Sequence, residues 1–215
     1  MRTMLNAGAL LLAGLVAAPA MAADNEPEAV IRKASEEALA AIDGRQDELR
    51  KNTDELFAVV DEILLPIWDR KYSGQLVMGK YWRDASPAQR DRFITGLYRK
   101  LLRTYADAIL NYRSDQLTIL GTRGDLADGK VMVDSEVKLD DGTPVPVSYR
   151  LRKSKSGGDW LIYDVVVEGI SYVANYRKQY AGEFRNKGIE GVLADLESGG
   201  EDEKDGEDKD EGAAG

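Results

Sequence analysis

The sequence predicts an α+β fold in which helices pack on a four-stranded antiparallel sheet. Three observations support this prediction. Apolar residues recur every three to four positions over residues 25–113, which is typical of amphipathic helices. They alternate at every second position over 117–167, which indicates strands with one buried face. A helical pattern returns after residue 171, so helices and strands occupy separate blocks of the chain, as in α+β proteins.

The first helical block is punctuated by glycine and proline. Residues 25–65 are predicted to be helical, with a break at Gly44 and an end at Pro66. A further helix is expected from Pro66 to Met78, ending near Gly79 because glycine commonly follows the last residue of a helix. Each segment carries apolar residues on one face and can therefore cover another helix or a sheet.

The clearest helix is predicted over residues 86–113. Ser86 can cap its N-terminus, Pro87 suits the first helical position, and Gln89 completes a capping box. Its apolar stripe comprises Phe93, Leu97, Leu101, Tyr105, Ala108, Ile109 and Tyr112. The other side carries Arg92, Arg99, Lys100 and Arg103. These cations could form a docking patch for an acidic partner or lipid phosphates, but an ordinary solvated face is the favoured interpretation.

Four strands follow this helix. They are predicted at 117–119, 131–139, 145–151 and 160–167, with turns at 140–142 and 156–158. Turns this short join antiparallel neighbours. After the fourth strand, the pattern predicts a helix over 171–186, a stop at Gly188 and a short helix over 189–197.

The two ends of the chain differ in composition from the domain of residues 23–197. Residues 1–22 combine one arginine, an apolar run of 12 residues and an Ala-Met-Ala end, which predicts a cleaved signal peptide and export, most simply to the periplasm. Residues 198–215 hold eight acidic and two basic residues, which predicts a disordered tail. The tail thus carries a net charge of −6 out of the −9 of the whole chain.

The composition excludes several classes of chemistry. The chain has no His and no Cys, so it has no Ser-His-Asp triad, thiol nucleophile, Cys/His zinc site or disulfide. Asp164 and Glu168 could in principle act as acid and base. The favoured interpretation is structural, with Asp164 paired to an arginine and Glu168 leading into a turn. We therefore expect no enzyme, no metal and no cofactor, and the acidic domain also disfavours nucleic-acid binding.

The apolar face of the sheet leaves two outcomes open. Several amphipathic helices are available to cover that face, and a layer of helices on a sheet can collapse into a closed core. The same layout can hold a deep apolar pocket between the two layers. The pattern of residues does not choose between them.

Four stretches of the chain resemble the MlaC family of periplasmic phospholipid-binding proteins, once called toluene-tolerance auxiliary proteins. They are residues 78–90 (MGKYWRDASPAQR), 104–106 (TYA), 160–171 (WLIYDVVVEGIS) and 185–191 (RNKGIEG). The resemblance extends over about residues 27–197. It implies a sheet and helices enclosing an apolar cavity for acyl tails. It further implies a soluble carrier with phospholipid as its cargo, moving lipid between an outer-membrane lipoprotein–porin complex and an inner-membrane ABC transporter. Such a carrier would help to maintain outer-membrane lipid asymmetry.

On this interpretation, one sheet face and the long helix contact the lipid. The expected lipid-binding residues are Leu101, Tyr105, Val133, Val147, Tyr149, Ile162, Val166 and Ile170. Asp164, Glu168, Gly169 and Ser171 match the family motif and are expected to fix the turn between strand and helix.

Two other functions stay open at this point. One is a pocket-type enzyme that uses a carboxylate and a tyrosine, and the other is a periplasmic protein-interaction module with a closed core. The resemblance to the MlaC family favours the carrier. Transfer energetics explain why such a carrier would exist, since each CH₂ group that leaves a bilayer for water costs ~0.8 kcal/mol and two acyl chains cost roughly 20 kcal/mol. An apolar pocket removes that cost without any reactive group.

Overall fold

The computed structural model describes residues 26–199, except residues 112, 114, 115, 140, 156 and 157. The predicted signal peptide and the predicted tail beyond residue 199 lie outside the described residues. So do Tyr112 of the predicted helix and residues 140, 156 and 157 of the predicted turns.

Helices and an antiparallel sheet form the described part of the chain, which confirms the α+β class. The helices are α1 (Pro27–Ile42), α2 (Gln46–Lys51), α3 (Thr53–Leu64), α4 (Arg70–Met78), α5 (Tyr81–Asp84), α6 (Pro87–Leu110) and α7 (Tyr172–Glu197). The strands are β1 (Leu117–Arg123), β2 (Lys130–Lys138), β3 (Pro144–Lys153), β4 (Trp160–Val167) and β5 (Ile170–Ser171). They lie in the order β1-β2-β3-β4-β5, each antiparallel to the next.

Local signals in the sequence define most helix boundaries. Gly44 has a φ of +75°, and it separates α1 from α2 as predicted. The capping box of α6 is present: Ser86 Oγ accepts a hydrogen bond from the Gln89 amide, and the Gln89 side chain accepts one from the Ser86 amide. Gly188 has a φ of +69° and interrupts α7 where the stop was predicted.

The predicted helix from Pro66 begins later than expected, at Arg70. Residues 67–69 instead pair with β4 at Ile162, along the side of the strand that β5 covers only at Val166 and Val167. The Asp69 amide donates to the Ile162 carbonyl (2.8 Å), and the Ile162 amide donates to the Ile67 carbonyl (2.7 Å). A long-range pairing therefore overrides the local helical pattern. The short helix α5 was not predicted at all.

The sheet has five strands where four were predicted. Glu168 and Gly169 both have positive φ values, +50° and +82°, and turn the chain sharply after β4. The turn brings Ile170 and Ser171 back along Val167 and Val166 as a two-residue strand. The first strand is also longer than predicted, because β1 continues past a bulge at Leu120 to Arg123.

A second bulge decides which side chains of β4 face the helices. Arg150 pairs with Asp164 but Leu151 pairs with Ile162, so Tyr163 is the extra residue. Directly paired residues project from the same face of a sheet. Val165, the partner of Tyr149, therefore lies on the helix-covered face, and Val166 lies on the opposite face.

Three apolar clusters hold the helices and the sheet together. One joins α4, α6 and α7 around Phe93, Tyr180 and Leu193. A second joins α2, α3 and α6 around Leu49 and Leu56. The third packs α1 against the sheet and contains Ile31, Val131, Val133, Leu151 and Trp160. Within the described residues, none of the helices is long and apolar enough to cross a membrane.

Candidate functional site: an apolar cavity between the sheet and the helices

An apolar cavity of about 360 Å³ lies between β3 and β4 on one side and the helices on the other. Its volume falls within the ~300–1,000 Å³ typical of small-molecule sites. One wall comprises Leu64 at the end of α3, Ile67 and Trp68 of the segment that pairs with β4, and Arg70, Ser73, Gly74 and Val77 of α4. The wall from α6 comprises Ile94, Leu97, Tyr98, Leu101, Leu102, Tyr105 and Ile109. The sheet and α7 contribute Tyr149, residues 162–165, Val167, Tyr172, Val173 and Tyr176.

The two ends of the cavity differ in exposure. Gly74, Val77 and Ile94 at one end are buried. Tyr105 and Tyr172 at the other end are only partly buried. Because Tyr105 and Tyr172 are more exposed than Gly74, Val77 and Ile94, we refer to their end as the mouth and to the end between α4 and the first turns of α6 as the inner end.

The cavity is long enough for an acyl chain. Its α6 wall runs from Ile94 to Ile109, and a rise of 1.5 Å per residue makes this distance about 22 Å. Both acyl layers of a bilayer together span ~30 Å, so one layer needs about 15 Å. A single chain could thus lie along α6 with its end near Ile94.

Two tyrosines meet at the mouth. The rings of Tyr105 on α6 and Tyr172 on α7 lie edge to face, with centroids 5.6 Å apart. Burial raises the pKa of Tyr172, and its hydrogen bond with Tyr105 raises the pKa further. The neutral hydroxyls therefore join α6 to α7 beside the entrance.

Asp164 holds the turn that leads into α7. Its Oδ2 atom accepts hydrogen bonds from Arg150 Nη1 (2.9 Å) and Ser171 Oγ (2.6 Å). Its Oδ1 atom accepts one from the Val173 amide at the first turn of α7 (3.0 Å). The Asp164 side chain is only 1 % exposed. The arginine pairing expected from the sequence is present, and the carboxylate stabilises the helix N-terminus at the edge of the cavity.

Polar side chains around Trp68 fix a second part of the wall. Ser73 Oγ accepts a hydrogen bond from Trp68 Nε1 (2.9 Å) and donates one to the Tyr163 carbonyl (2.8 Å). Because these bonds join α4 to the bulge of β4, they position the α4 wall over the sheet.

Tyr98 satisfies its hydroxyl outside the cavity. It donates to Asp61 Oδ1 (2.7 Å), while Arg99 Nη2 donates to Asp61 Oδ2 (2.8 Å). Burial is the main cause that raises the pKa of Tyr98, and the hydrogen bond to Asp61 adds to it. The ring can thus line the cavity while its polar atom is paired elsewhere.

Half of the residues expected to contact lipid line this cavity. Leu101, Tyr105, Tyr149 and Ile162 lie in its wall. Whether they contact lipid stays a prediction.

The other four residues lie elsewhere. Val133 is fully buried in the cluster under α1, and Val147 of β3 is buried outside the cavity lining. The bulge at Tyr163 places Val166 on the opposite face, and Ile170 lies on the edge strand with 64 % exposure.

The sequence analysis missed the lining from α4 and α7. Gly74 and Val77 lie on a helix whose apolar pattern is weak, and its path over the sheet depends on the pairing of residues 67–69 with β4. Tyr172 and Tyr176 of α7 were not among the expected lipid-binding residues, yet both line the cavity. Their spacing of four residues on a predicted helix was the available signal.

Two arginines of the basic face of α6 are engaged within the protein. Arg92 contacts Glu190 (2.9 Å) and Glu197 (2.6 Å), and Arg99 contacts Asp61 (2.8 Å). These ion pairs support the interpretation of the face as an ordinary solvated surface for Arg92 and Arg99. Among the described residues, no group of three or more acidic side chains is placed to hold a metal ion.

The family model for the MlaC protein matches residues 32–198 of the chain. The chain belongs to the MlaC family. Two of its relatives show similarity over most of their length. The intermembrane phospholipid transport system binding protein MlaC of Haemophilus influenzae is 25 % identical over 190 residues, or 87 % of this chain and 88 % of the relative. The toluene tolerance protein ttg2D of Pseudomonas putida is 29 % identical over 191 residues, or 87 % of this chain and 86 % of the relative.

A solved structure shares the fold of this MlaC chain. It is the phospholipid-binding protein of Ralstonia solanacearum, determined in complex with a phospholipid. The two chains are 31 % identical and superpose with a TM-score of 0.72, over 80 % of this chain and 94 % of the other. The MlaC motif at residues 160–171 comprises β4, the turn at Glu168 and Gly169, and the two residues of β5.

Proposed function

We propose that this MlaC protein is a periplasmic carrier that takes the acyl chains of a phospholipid into the cavity and shuttles the lipid between membranes. The apolar cavity between α4, α6, α7 and the sheet is the observation that carries the proposal. The phospholipid complex of the Ralstonia protein, which has the same fold, supports it.

The energetic role of the cavity follows from the hydrophobic effect. Transfer of an acyl chain from a bilayer to water costs ~0.8 kcal/mol for each CH₂ group. A wall of leucine, isoleucine, valine and aromatic side chains replaces the bilayer interior for those groups. The headgroup then stays near the mouth, where Tyr105 and Tyr172 are partly exposed.

The inner-membrane partner is proposed to be an ABC lipid transporter, and the outer-membrane partner a lipoprotein–porin complex. The name of the Haemophilus relative, a binding protein of an intermembrane phospholipid transport system, supports a role between two membranes. Energy input would belong to the transporter, because exchange between two non-covalent sites needs no chemical step in the carrier. Such exchange would maintain the lipid asymmetry of the outer membrane.

The polar groups beside the cavity favour a carrier over a pocket-type enzyme. Asp164 is held by Arg150, Ser171 and the Val173 amide, so both of its oxygens already accept hydrogen bonds within the protein. An acid or base in catalysis must instead reach the reacting atoms. The geometry thus supports a structural role for this carboxylate.

A vesicle transfer assay tests the proposal. Donor vesicles carry a fluorescent phospholipid at a self-quenching density, and acceptor vesicles carry none. The protein is expected to accelerate dequenching in proportion to its concentration, and mass spectrometry of the recovered lipid is expected to show an unchanged molecule. Transfer no faster than in buffer would contradict the carrier, and a cleaved or isomerised lipid would favour the enzyme.

A further inference from the structure

At the inner end of the cavity, α4 and α6 make a close contact that depends on a glycine. Gly74 on α4 and Ile94 on α6 both line the cavity and are both buried. A methyl group on Gly74 would lie 2.5 Å from Cγ1 of Ile94 and 3.0 Å from its Cδ1 atom. The helices therefore approach so closely that only glycine fits opposite the isoleucine.

Behind this contact the protein is filled with side chains. Ile94 belongs to the cluster that also contains Met78, Trp82 and Phe93, none of which lines the cavity. Trp82 lies 3.7 Å from the position that a methyl group on Gly74 would take. An acyl chain that enters from the mouth thus meets a packed core directly beyond Ile94, because protein interiors leave few voids larger than a water molecule.

The mouth gives no comparable limit. Tyr105, Tyr172 and Val167 there are partly exposed, so a lipid can extend from the cavity into solvent. A chain shorter than the cavity leaves apolar wall uncovered, whereas a longer chain leaves CH₂ groups in water. The position of the inner end therefore sets the chain length that buries best.

We propose that the Gly74–Ile94 contact is the stop that determines which acyl chain lengths this protein prefers. The inference rests on the proposed carrier function and adds the specificity of its site. The ligand class is a phospholipid whose chain spans the distance from the mouth to Ile94.

Variants that lengthen or shorten the cavity at the stop are expected to shift the preferred acyl chain length up or down, respectively. Ile94→Ala removes three carbon atoms from the end wall and lengthens the cavity. Gly74→Ala inserts a methyl group that forces the Ile94 side chain into the cavity and shortens it. Ile63→Ala is the matched control, since Ile63 is a buried isoleucine of α3 outside the cavity wall.

The test is a competition between lipids of different chain length for binding to the protein. Full-length protein and each variant are incubated with vesicles that contain equal amounts of dimyristoyl, dipalmitoyl and distearoyl phosphatidylglycerol. The protein is separated from the vesicles, and the bound lipids are counted by native mass spectrometry. Circular dichroism checks folding. Should Gly74→Ala fail to fold, the comparison of Ile94→Ala with Ile63→Ala still tests the stop.

Ile94→Ala is expected to raise the ratio of distearoyl to dimyristoyl lipid about fourfold for each additional CH₂ group accommodated, which corresponds to ~0.8 kcal/mol. Gly74→Ala is expected to lower the ratio, and Ile63→Ala to leave it unchanged. If the Ile94→Ala variant binds phospholipid with the same distearoyl-to-dimyristoyl ratio as the unmutated protein, the chain-length stop is overturned and the carrier function is not. If the unmutated protein binds none of the three lipids, both the chain-length stop and the carrier function are overturned.

Discussion

Under α1 the apolar face of the sheet is packed into a closed core, whereas under α6 and α7 the same face borders a cavity. Val133 and Leu151 in the first region are fully buried among side chains of α1 and β4. Val165 and Val167 in the second region are only partly buried and line the cavity. The same apolar pattern in the strands thus occurs beside a closed core and beside a cavity. The helix that covers each strand decides which of the two forms.

Tyr149 and Ile162 mark the boundary between the two regions. Both pack against the cluster under α1, and both also lie in the cavity wall. The closed region therefore supports the open one directly. We expect substitutions in the closed region to change stability and substitutions in the open region to change lipid binding.

The largest expected effect is that of Leu151→Ala. Leu151 has no exposed surface, and its truncation leaves a void in a filled core. The free energy of unfolding should fall by about 2–5 kcal/mol, as measured by urea denaturation. Leu101→Ala is the matched change on the cavity side, where a partly buried leucine already faces open space. An equal loss of stability in both variants would contradict the distinction between the two regions.

Asp164→Asn is expected to have the next largest effect. The substitution removes the negative charge that Arg150 and the first turn of α7 contact. The free energy of unfolding should fall by about 1–3 kcal/mol, because a buried hydrogen-bonded charge is lost. Asp134→Asn serves as the control, since Asp134 pairs with the largely exposed Arg123 and surface pairs contribute ~0–1 kcal/mol. Unaltered stability of Asp164→Asn would show that the turn does not depend on this carboxylate.

Leu101→Trp is expected to change binding more than stability. The larger ring would fill the cavity between α6 and the sheet, so bound phospholipid should fall about tenfold, or ~1.4 kcal/mol. Leu101→Met, which nearly conserves volume, should retain binding. Val147→Trp places the same ring in the packed sheet outside the cavity and should lower stability instead. Lipid extraction and urea denaturation measure the two effects, and normal lipid content in folded Leu101→Trp would refute the assigned site.

The smallest expected effect appears only in alkaline solution. Burial, and secondarily the hydrogen bond to Asp61, raises the pKa of Tyr98 in the folded protein above its ordinary value of about 10. Above pH ~10 the unfolded chain loses this proton first, so stability is fully present below that pH and falls as the pH rises through the folded pKa. Tyr98→Phe should show a shallower alkaline loss in denaturation experiments. An identical pH dependence in both proteins would contradict the assignment.

Local rules predicted the parts of the fold that depend on neighbouring residues. The N-terminus of α6 followed from Ser86, Pro87 and Gln89, since a capping box is complete within four residues. The helix break at Gly188 followed from one residue in the same way. The start of α4 at Arg70 did not follow from local rules, because residues 67–69 pair with β4, almost a hundred positions later in the sequence.

The candidate site was harder to predict. It depends on which face of the sheet each strand residue occupies and on which helix packs over that face. Strict alternation placed Ile162 and Val166 on one face of β4. The extra residue Tyr163 reverses the alternation, so that Val165 and Val167 line the cavity and Val166 does not. Strand alternation identifies an apolar face without showing which helix covers it. Val133 was therefore assigned to lipid although α1 packs over it.

Native mass spectrometry of the protein purified without detergent, followed by extraction of its lipids, tests the central claim most directly. The carrier account predicts a mass increment equal to one or more phospholipids, and extraction should recover those lipids intact. A protein that has no bound lipid and acquires none after incubation with phospholipid vesicles would contradict the account. A closed protein-interaction module would then become the better interpretation of the fold.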